Sequence, residues 1–257
     1  MPETQTVESG KTPSPTFSIT EERPSFLRLL SHRLAAYLHG VIGYSEILKE
    51  QYFGPLNEKQ AEYLGEITSS AVKLQNLINE AIELFKYESG EMLSRFTERD
   101  VRGIILEALL DVRDANGTRI DTDIAIQPEM EDVTGHFDET KFQRALVYLV
   151  ASAAACAPPG KRVGVDVSGT SDQIEIKVHS PGVGVLAGVE ADVFAPFHPN
   201  LESGQFVSPL GLSLAKCFLE IHNGTITVLN KAESDNDHFL IKLPVCVDIP
   251  GRNLRCS

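Results

Sequence analysis

The chain has 257 residues, of which 42 % are hydrophobic and 23 % charged, and its formal net charge at pH 7 is −13. This composition is typical of a soluble globular protein with one large domain or two small ones. The negative charge argues against nucleic acid or an anionic membrane as the main partner, because like charges repel. No stretch approaches the roughly 20 consecutive apolar residues that cross a bilayer, so we expect a cytoplasmic protein.

The N-terminal segment, residues 1–23, is rich in Ser, Thr, Pro and Glu and has no apolar core. It lacks the pattern of a secretory signal and cannot bury enough surface to order itself, so we predict a disordered tail. The four cysteines, at positions 156, 217, 246 and 256, form no CxxC pair. We expect reduced structural thiols and no metal site.

Two long amphipathic helices are predicted after the tail. Apolar and small residues recur at steps of three and four over residues 27–48 and again over residues 64–85. This spacing predicts a seam that packs at a shallow angle, as in coiled coils and four-helix bundles. Gly54 and Pro55 break the first helix, and Gly90 is expected to cap the second.

The two helices are expected to form a hairpin over residues 24–92. A single hairpin cannot bury a seam on both of its sides, whereas two hairpins in a symmetric dimer can. We therefore predict a homodimer that is held together by a four-helix bundle.

From about residue 93 the pattern changes to alternating helices and strands. Helices are predicted over residues 100–114, 138–157 and 209–222, and strands over residues 119–126, 161–169, 173–180, 225–230 and 238–244. The predicted architecture is a mixed α/β layer with helices on one face of a largely antiparallel sheet. We place this domain at residues 93–247, followed by a C-terminal tail at residues 248–257.

Several segments occur in a characteristic order. "SHRLAAYL" at residues 31–38 is similar to the phospho-acceptor motif S-H-E-L-R-T-P-L, and "GPLNEKQAEYL" fits the hairpin that follows that motif. "FAPF" resembles a phenylalanine box, and "GLSLAKCFLEIHNGTITV" resembles the end of a glycine box with its helix and strand. In order and spacing these pieces resemble bacterial two-component sensor histidine kinases. The resemblance implies a dimeric phosphotransfer hairpin followed by an α/β sandwich like the kinase ATP-binding domain.

The asparagine box of that family, N-L-x-x-N-A-x-K, is replaced by "YLVASAAA". Tyr148 and Ser152 stand where the resemblance implies asparagines, and Ala155 stands where it implies lysine. Magnesium requires hard oxygen ligands in strict geometry, which these side chains supply poorly.

The glycine-rich boxes are altered as well. In "SPGVG" the glycines Gly182 and Gly184 are kept, but Ser180 replaces the aspartate that would accept a hydrogen bond from adenine. In "VSPLGL" only Gly211 is kept, because Val207 and Pro209 replace glycines that would let the backbone approach phosphates. We therefore expect no cofactor and only a degenerate nucleotide pocket, without productive binding of ATP and Mg.

His32 occupies the phospho-acceptor position that the resemblance implies. A helical wheel places it opposite the apolar seam and places His39, two turns later, on the same outer face. Arg33 replaces the acidic general base of the family, and Ala36 replaces the residue that helps dephosphorylation. Arg33, Ala35, Ala36 and His39 are predicted to lie where a partner docks.

The leading hypothesis is a dimeric histidine phosphotransfer protein. Such a protein passes a phosphoryl group between His32 and receiver-domain aspartates without using ATP. The expected partners are the receiver domains of response regulators or of a hybrid histidine kinase, with neither nucleic acid nor membrane. Two alternatives stay open: a non-catalytic pseudokinase adaptor that regulates a kinase or response regulator, and an active sensor histidine kinase with divergent motifs.

Overall fold

The computed structural model describes residues 23–110, 112–113, 119–126, 133–157, 161–170, 172–180, 193–197, 208–229 and 237–245. The predicted tails, residues 1–23 and 248–257, lie outside this part of the chain except for Arg23, which begins the first helix. Among the described residues, no helix is both long and apolar enough to span a membrane.

The first two helices form the predicted hairpin. Helix α1 spans Arg23–Lys49 and helix α2 spans Glu58–Glu88. Between them Gly54 has a positive φ of 125°, which suits glycine, and Asn57 starts α2 with a capping box to Gln60.

The end of α2 confirms the predicted glycine cap. Gly90 has a φ of 71°, in the left-handed region. Its N–H donates to the carbonyl of Tyr87, and the Glu91 N–H donates to the carbonyl of Lys86. This pair of hydrogen bonds is a Schellman motif, which satisfies carbonyls that the helix end leaves free.

The seam of the hairpin is only partly covered within one chain. Ser45 and Ala71 are buried between the two helices. Other seam residues are between 37 % and 47 % exposed: Leu30, Leu34, Val41, Leu48, Ile67, Leu74 and Phe85. One chain thus leaves an apolar stripe along the hairpin open to contact with another surface.

The second half folds as an α/β sandwich. Its strands are β1 (Thr97–Asp100), β2 (Thr122–Ile126), β3 (Thr134–Phe137), β4 (Val163–Gly169), β5 (Gln173–Ser180), β6 (Thr225–Leu229) and β7 (Asp237–Pro244). Its helices are α3 (Val101–Leu109), α4 (Glu139–Cys156) and α5 (Gly211–Ile221). The main sheet has the order β2-β4-β5-β7-β6, with β2 and β4 parallel and the other pairs antiparallel. The predicted fold class, a helical hairpin followed by an α/β sandwich, is confirmed.

A small second sheet was not predicted. Strands β1 and β3 pair antiparallel, with Thr97 opposite Phe137. The sequence "TERD" of β1 is polar and short and has no alternation, so the pairing with β3 has to hold it extended. The two-stranded sheet of β1 and β3 is therefore formed by residues whose sequence shows no periodic pattern.

The core lies between the main sheet and the helices. Val163, Val165 and Val167 of β4 alternate toward it and are at most 1 % exposed. The helices α4 and α5 cover this face and pack on each other, with Phe142 and Phe218 fully buried. This packing fixes the positions of α4 and α5, which carry the residues of the predicted nucleotide boxes.

Candidate functional site

His32 lies in the N-terminal half of α1, and its side chain is exposed. Its imidazole forms neither a hydrogen bond nor an ion pair with the residues that the structure describes. Arg33 and Ala36 are also exposed, and Ala35 is half-buried. The ring is thus available to an approaching partner, as a nucleophilic imidazole must be.

His39 differs from His32 although both side chains are exposed. Nδ1 of His39 is 2.7 Å from the carbonyl oxygen of Ala35, and Nε2 is 3.4 Å from the amide nitrogen of Gln75 on α2. A carbonyl can only accept, so Nδ1 carries the proton in this arrangement. The His39 ring is exposed and at the same time reaches the second helix.

The contact between His39 and Gln75 also indicates the register of the two antiparallel helices. Seven residues toward the N-terminus of α1 correspond to seven residues toward the C-terminus of α2, since both helices rise equally per residue. His32 therefore lies level with Ile82. This part of α2 is also the part that meets the α/β domain.

The asparagine-box positions lie on α4. Ser152 is buried and Ala155 is half-buried. The hydroxyl of Tyr148 points to the hairpin, where it donates to Oε1 of Glu80 at 2.9 Å. The phenol of Tyr148 thus bonds to another helix of the same chain.

The glycine-box positions are described in part. Gly211 is the first residue of α5, and Pro209 precedes it in a half-buried turn. A Cβ atom at Gly211 would lie 2.9 Å from Cδ1 of Tyr148, so the Tyr148 ring packs directly on this glycine. The side chain of Ser180 and the residues Gly182, Gly184 and Val207 lie outside the described part of the chain.

Glu80 is the point where the hairpin meets both altered boxes. It is only 6 % exposed although it belongs to a helix of the hairpin. Oε1 accepts from the hydroxyl of Tyr148, and Oε2 accepts from the hydroxyl of Ser208, beside Pro209. A buried carboxylate is tolerated because donors satisfy it.

Arg144 extends this cluster. Nη1 donates to Oε1 of Glu83 at 2.7 Å, and Nη2 donates to the hydroxyl of Tyr148 at 2.9 Å. An open cavity of about 600 Å³ adjoins the cluster, and Asn76, Asn79, Glu80, Ile82, Glu83, Lys86, Arg144 and Tyr148 line it. Its walls carry charges of both signs.

Burial shifts the pKa values of the groups in this cluster. It raises the pKa of Glu80 above the ordinary value, although the hydroxyls of Ser208 and Tyr148 oppose the shift. Burial, together with the charge of Glu80, also raises the pKa of Tyr148, which keeps its hydroxyl a donor. Burial alone would lower the pKa of Arg144, but Glu83 and Tyr148 outweigh it and raise that pKa.

The sequence did not single out Glu80, Arg144 or Ser208. One available signal was Tyr148 itself, because a large phenol at an asparagine position needs a partner for its hydroxyl. Among the described residues, no cluster of three or more His, Cys, Asp or Glu could hold a metal ion.

Two family models match this chain. Residues 23–90 match the His kinase A (phospho-acceptor) domain, and residues 137–246 match the histidine kinase-, DNA gyrase B-, and HSP90-like ATPases. The chain belongs to the two-component sensor histidine kinases, with a phospho-acceptor domain and an ATPase domain.

The relatives of this chain include several named histidine kinases. It is 26 % identical to histidine protein kinase DivJ of Caulobacter vibrioides over 226 residues, which cover 87 % of this chain and 37 % of DivJ. It is 29 % identical to circadian input-output histidine kinase CikA of Thermosynechococcus vestitus, covering 87 % of this chain and 31 % of CikA. It is also 29 % identical to the non-motile and phage-resistance protein of Caulobacter vibrioides, covering 81 % of this chain and 26 % of that protein. The chain thus spans less than half of the length of these relatives.

Solved structures show the same fold. Full-length ShkA in complex with AMPPNP superimposes with a TM-score of 0.70 at 20 % identity, over 86 % of this chain and 46 % of ShkA. Histidine kinase ThkA in complex with response regulator protein TrrA gives a TM-score of 0.56 at 20 % identity, over 91 % of this chain and 68 % of ThkA.

Proposed function

We propose that this chain is a two-component phosphotransfer protein in which His32 exchanges a phosphoryl group with a receiver-domain aspartate. The observation that carries the proposal is the exposed, unengaged imidazole of His32 within the segment that matches the phospho-acceptor domain. In the transfer, the lone pair of a ring nitrogen attacks phosphorus, a P–N bond forms, and the P–O bond to the aspartate breaks. The aspartate leaves as a carboxylate, and the reverse step re-forms the aspartyl phosphate and frees the imidazole.

The proposed partner is a receiver domain that brings its own aspartate and magnesium. The structure of ThkA bound to a response regulator supports a partner of this class. Arg33 is exposed beside His32 and would attract either the phosphoryl group or an acidic receiver face. Ala36 offers only a methyl group there, which lets a loop of the partner approach closely.

The proposed assembly is a homodimer. The match to the phospho-acceptor domain, which is the dimerisation domain of this family, supports it. The exposed seam on the hairpin supports it too, since a second hairpin would bury those apolar side chains. The dimer would present two copies of His32.

We further propose that His32 does not receive its phosphoryl group from ATP bound to the same protein. Tyr148, Ser152 and Ala155 offer a phenol, a buried hydroxyl and a methyl group where Mg²⁺ needs well-placed oxygen ligands. The phenol is already engaged with Glu80. These observations argue that the residues present do not fit Mg-ATP.

The family comparisons support a second candidate, an ATP-dependent histidine kinase. Residues 137–246 match an ATPase family whose members normally bind ATP and Mg, and DivJ and CikA are named histidine kinases. The parts of the nucleotide pocket that lie outside the described residues would then have to supply the missing contacts. A third role, as an adaptor, would use the same docking surface without transfer to His32.

Three labelling arms separate these candidates. The full chain is incubated with labelled Mg-ATP alone, with a receiver domain whose aspartate carries a labelled phosphoryl group, or with both. We expect acid-labile label on the chain only when the charged receiver is present, and none in His32→Ala. Label from Mg-ATP alone would establish the kinase instead. His136→Gln is the matched control, because His136 is a half-exposed histidine of β3, outside the hairpin and the predicted docking positions, and it should leave the labelling unchanged.

An adaptor gives a third pattern. Receiver binding would persist in the wild type and in His32→Ala, with no label in any arm. Binding by isothermal calorimetry, measured on the same samples, therefore distinguishes an adaptor from a chain that has simply lost its partner.

A further inference from the structure

One face of α2 is turned toward the α/β domain. Glu80, Glu83 and Tyr87 follow each other at steps of three and four residues, so they form a stripe on this helix. Glu83 pairs with Arg144 of α4, and the hydroxyl of Tyr87 donates to Glu220 of α5 at 2.5 Å. Contacts to two different helices hold this stripe against the domain.

Glu80 is the buried centre of the stripe. Its two carboxylate oxygens accept hydrogen bonds, Oε1 from the hydroxyl of Tyr148 and Oε2 from the hydroxyl of Ser208. The first donor comes from the altered asparagine box and the second from the altered glycine box. Segments that the family resemblance assigns to magnesium and phosphate instead hold a carboxylate of the hairpin.

Both donors are oriented before they meet Glu80. The Tyr148 hydroxyl accepts from Nη2 of Arg144, so its own hydrogen is directed at Glu80. The Ser208 hydroxyl accepts from the N–H of Leu210 at 3.1 Å and is directed likewise. Pre-oriented donors of this kind favour an anion at the site.

The Tyr148 ring occupies space at the N-terminus of α5. It lies against Gly211, where a Cβ atom would come within 2.9 Å of Cδ1. The guanidinium of Arg144 lies 5.7 Å from the ring centroid and holds the ring from another side. Tyr148 is therefore fixed in place, and its hydroxyl cannot leave Glu80 without a shift of the ring.

We propose that Glu80 is an internal ligand of the degenerate ATPase domain, which clamps the phospho-acceptor hairpin to that domain in one arrangement. Glu80 lies two residues along α2, about half a helical turn, from Ile82, the residue level with His32. It thus fixes the position of the α/β domain relative to the surface on which a receiver would dock. The clamp concerns the contact between the two domains, and it can fail while His32 still accepts a phosphoryl group.

Hydrogen–deuterium exchange on the full chain tests the clamp. Tyr148→Phe removes one hydroxyl with almost no change of shape, and Glu80→Gln removes the charge while keeping one acceptor. We expect either variant to speed exchange about 10- to 100-fold, because each loses a hydrogen bond to a charged group. The faster exchange should occur together in α2, over residues 80–87, and in α5, over residues 211–214. Glu66→Gln is the matched control, since Glu66 is an exposed residue of the same helix, and it should leave both segments unchanged.

The double variant decides between coupled and independent effects. If Glu80 and Tyr148 form one clamp, the double variant exchanges no faster than the faster single variant. Additive effects, or rates equal to those of Glu66→Gln, would overturn the proposal. Ser208→Ala removes the second donor with a small change in volume, and it supplies the same test if another variant fails to fold. Receiver-dependent labelling of His32, measured on the same samples, reports separately on the phosphotransfer function.

Discussion

The exposed seam of the hairpin leads to a quantitative prediction for Leu74→Ala. Leu74 is 47 % exposed in the single chain and belongs to the apolar stripe that a second hairpin would cover. Full burial of a leucine side chain is worth about 1.5–3 kcal/mol. Covering the exposed 47 % is therefore worth about 0.7–1.4 kcal/mol in each protomer.

A symmetric dimer contains the substitution twice. The expected loss is then about 1.4–2.8 kcal/mol of dimerisation free energy, or roughly a 10- to 100-fold rise in the dimer Kd. Val72→Ala is the matched control. Val72 is 38 % exposed, but it lies about 160° around the helix from Leu74 and outside the stripe.

Sedimentation analysis over a concentration series measures both variants. We expect Leu74→Ala to shift the monomer–dimer midpoint to higher concentration, and Val72→Ala to leave it within a factor of about two, because solvent-exposed substitutions outside an interface change little. An unchanged midpoint for Leu74→Ala, or an equal shift for both variants, would refute the assignment of the stripe to the dimer.

Two further predictions concern stability. His222 is fully buried; its Nε2 accepts from the N–H of Asp138, and its Nδ1 donates to the carbonyl oxygen of Phe218. Burial lowers the pKa of His222, so below about pH 6.5 the unfolded chain binds a proton that the folded chain does not bind. Urea unfolding should therefore show stability falling between pH 7.5 and 5, a slope that His222→Gln removes; a slope that persists in this variant contradicts the assignment. Gly90→Ala should lower the free energy of unfolding by about 1–2 kcal/mol, because residue 90 has a φ of 71°. Gly65→Ala, in the middle of α2, should raise the free energy of unfolding by about 0.5–1 kcal/mol. Thermal unfolding that shifts both variants in the same direction would rule this out.

The sequence predicted regular elements best where alternation was complete. Strand β5 has the predicted bounds, residues 173–180, because its inward positions are apolar without a gap. Helix α4 differs from the prediction by one residue at each end, which is the usual uncertainty of helix ends. The strand at residues 97–100 was missed, since its extended form depends on a partner strand that lies far along the chain.

The site was predictable only where it depends on one helix. Exposure of His32 follows from its position on the wheel relative to the seam, and it was predicted. The contact of His39 with Gln75 depends on the register between two helices, which periodicity does not give. The pairing of Glu80 with Tyr148 joins residues 68 positions apart and depends on how two domains pack, so no local pattern could indicate it.

The most direct test of the proposed function is the site of phosphorylation after exposure to a charged receiver domain. The full chain is mixed with a receiver domain that has been phosphorylated with acetyl phosphate and freed of the reagent, and the acid-labile phosphoryl group is located by mass spectrometry at neutral pH. We expect one phosphoryl group per chain on His32, with a matching loss from the receiver aspartate. A charged receiver that binds the chain and leaves His32 unmodified would contradict the account.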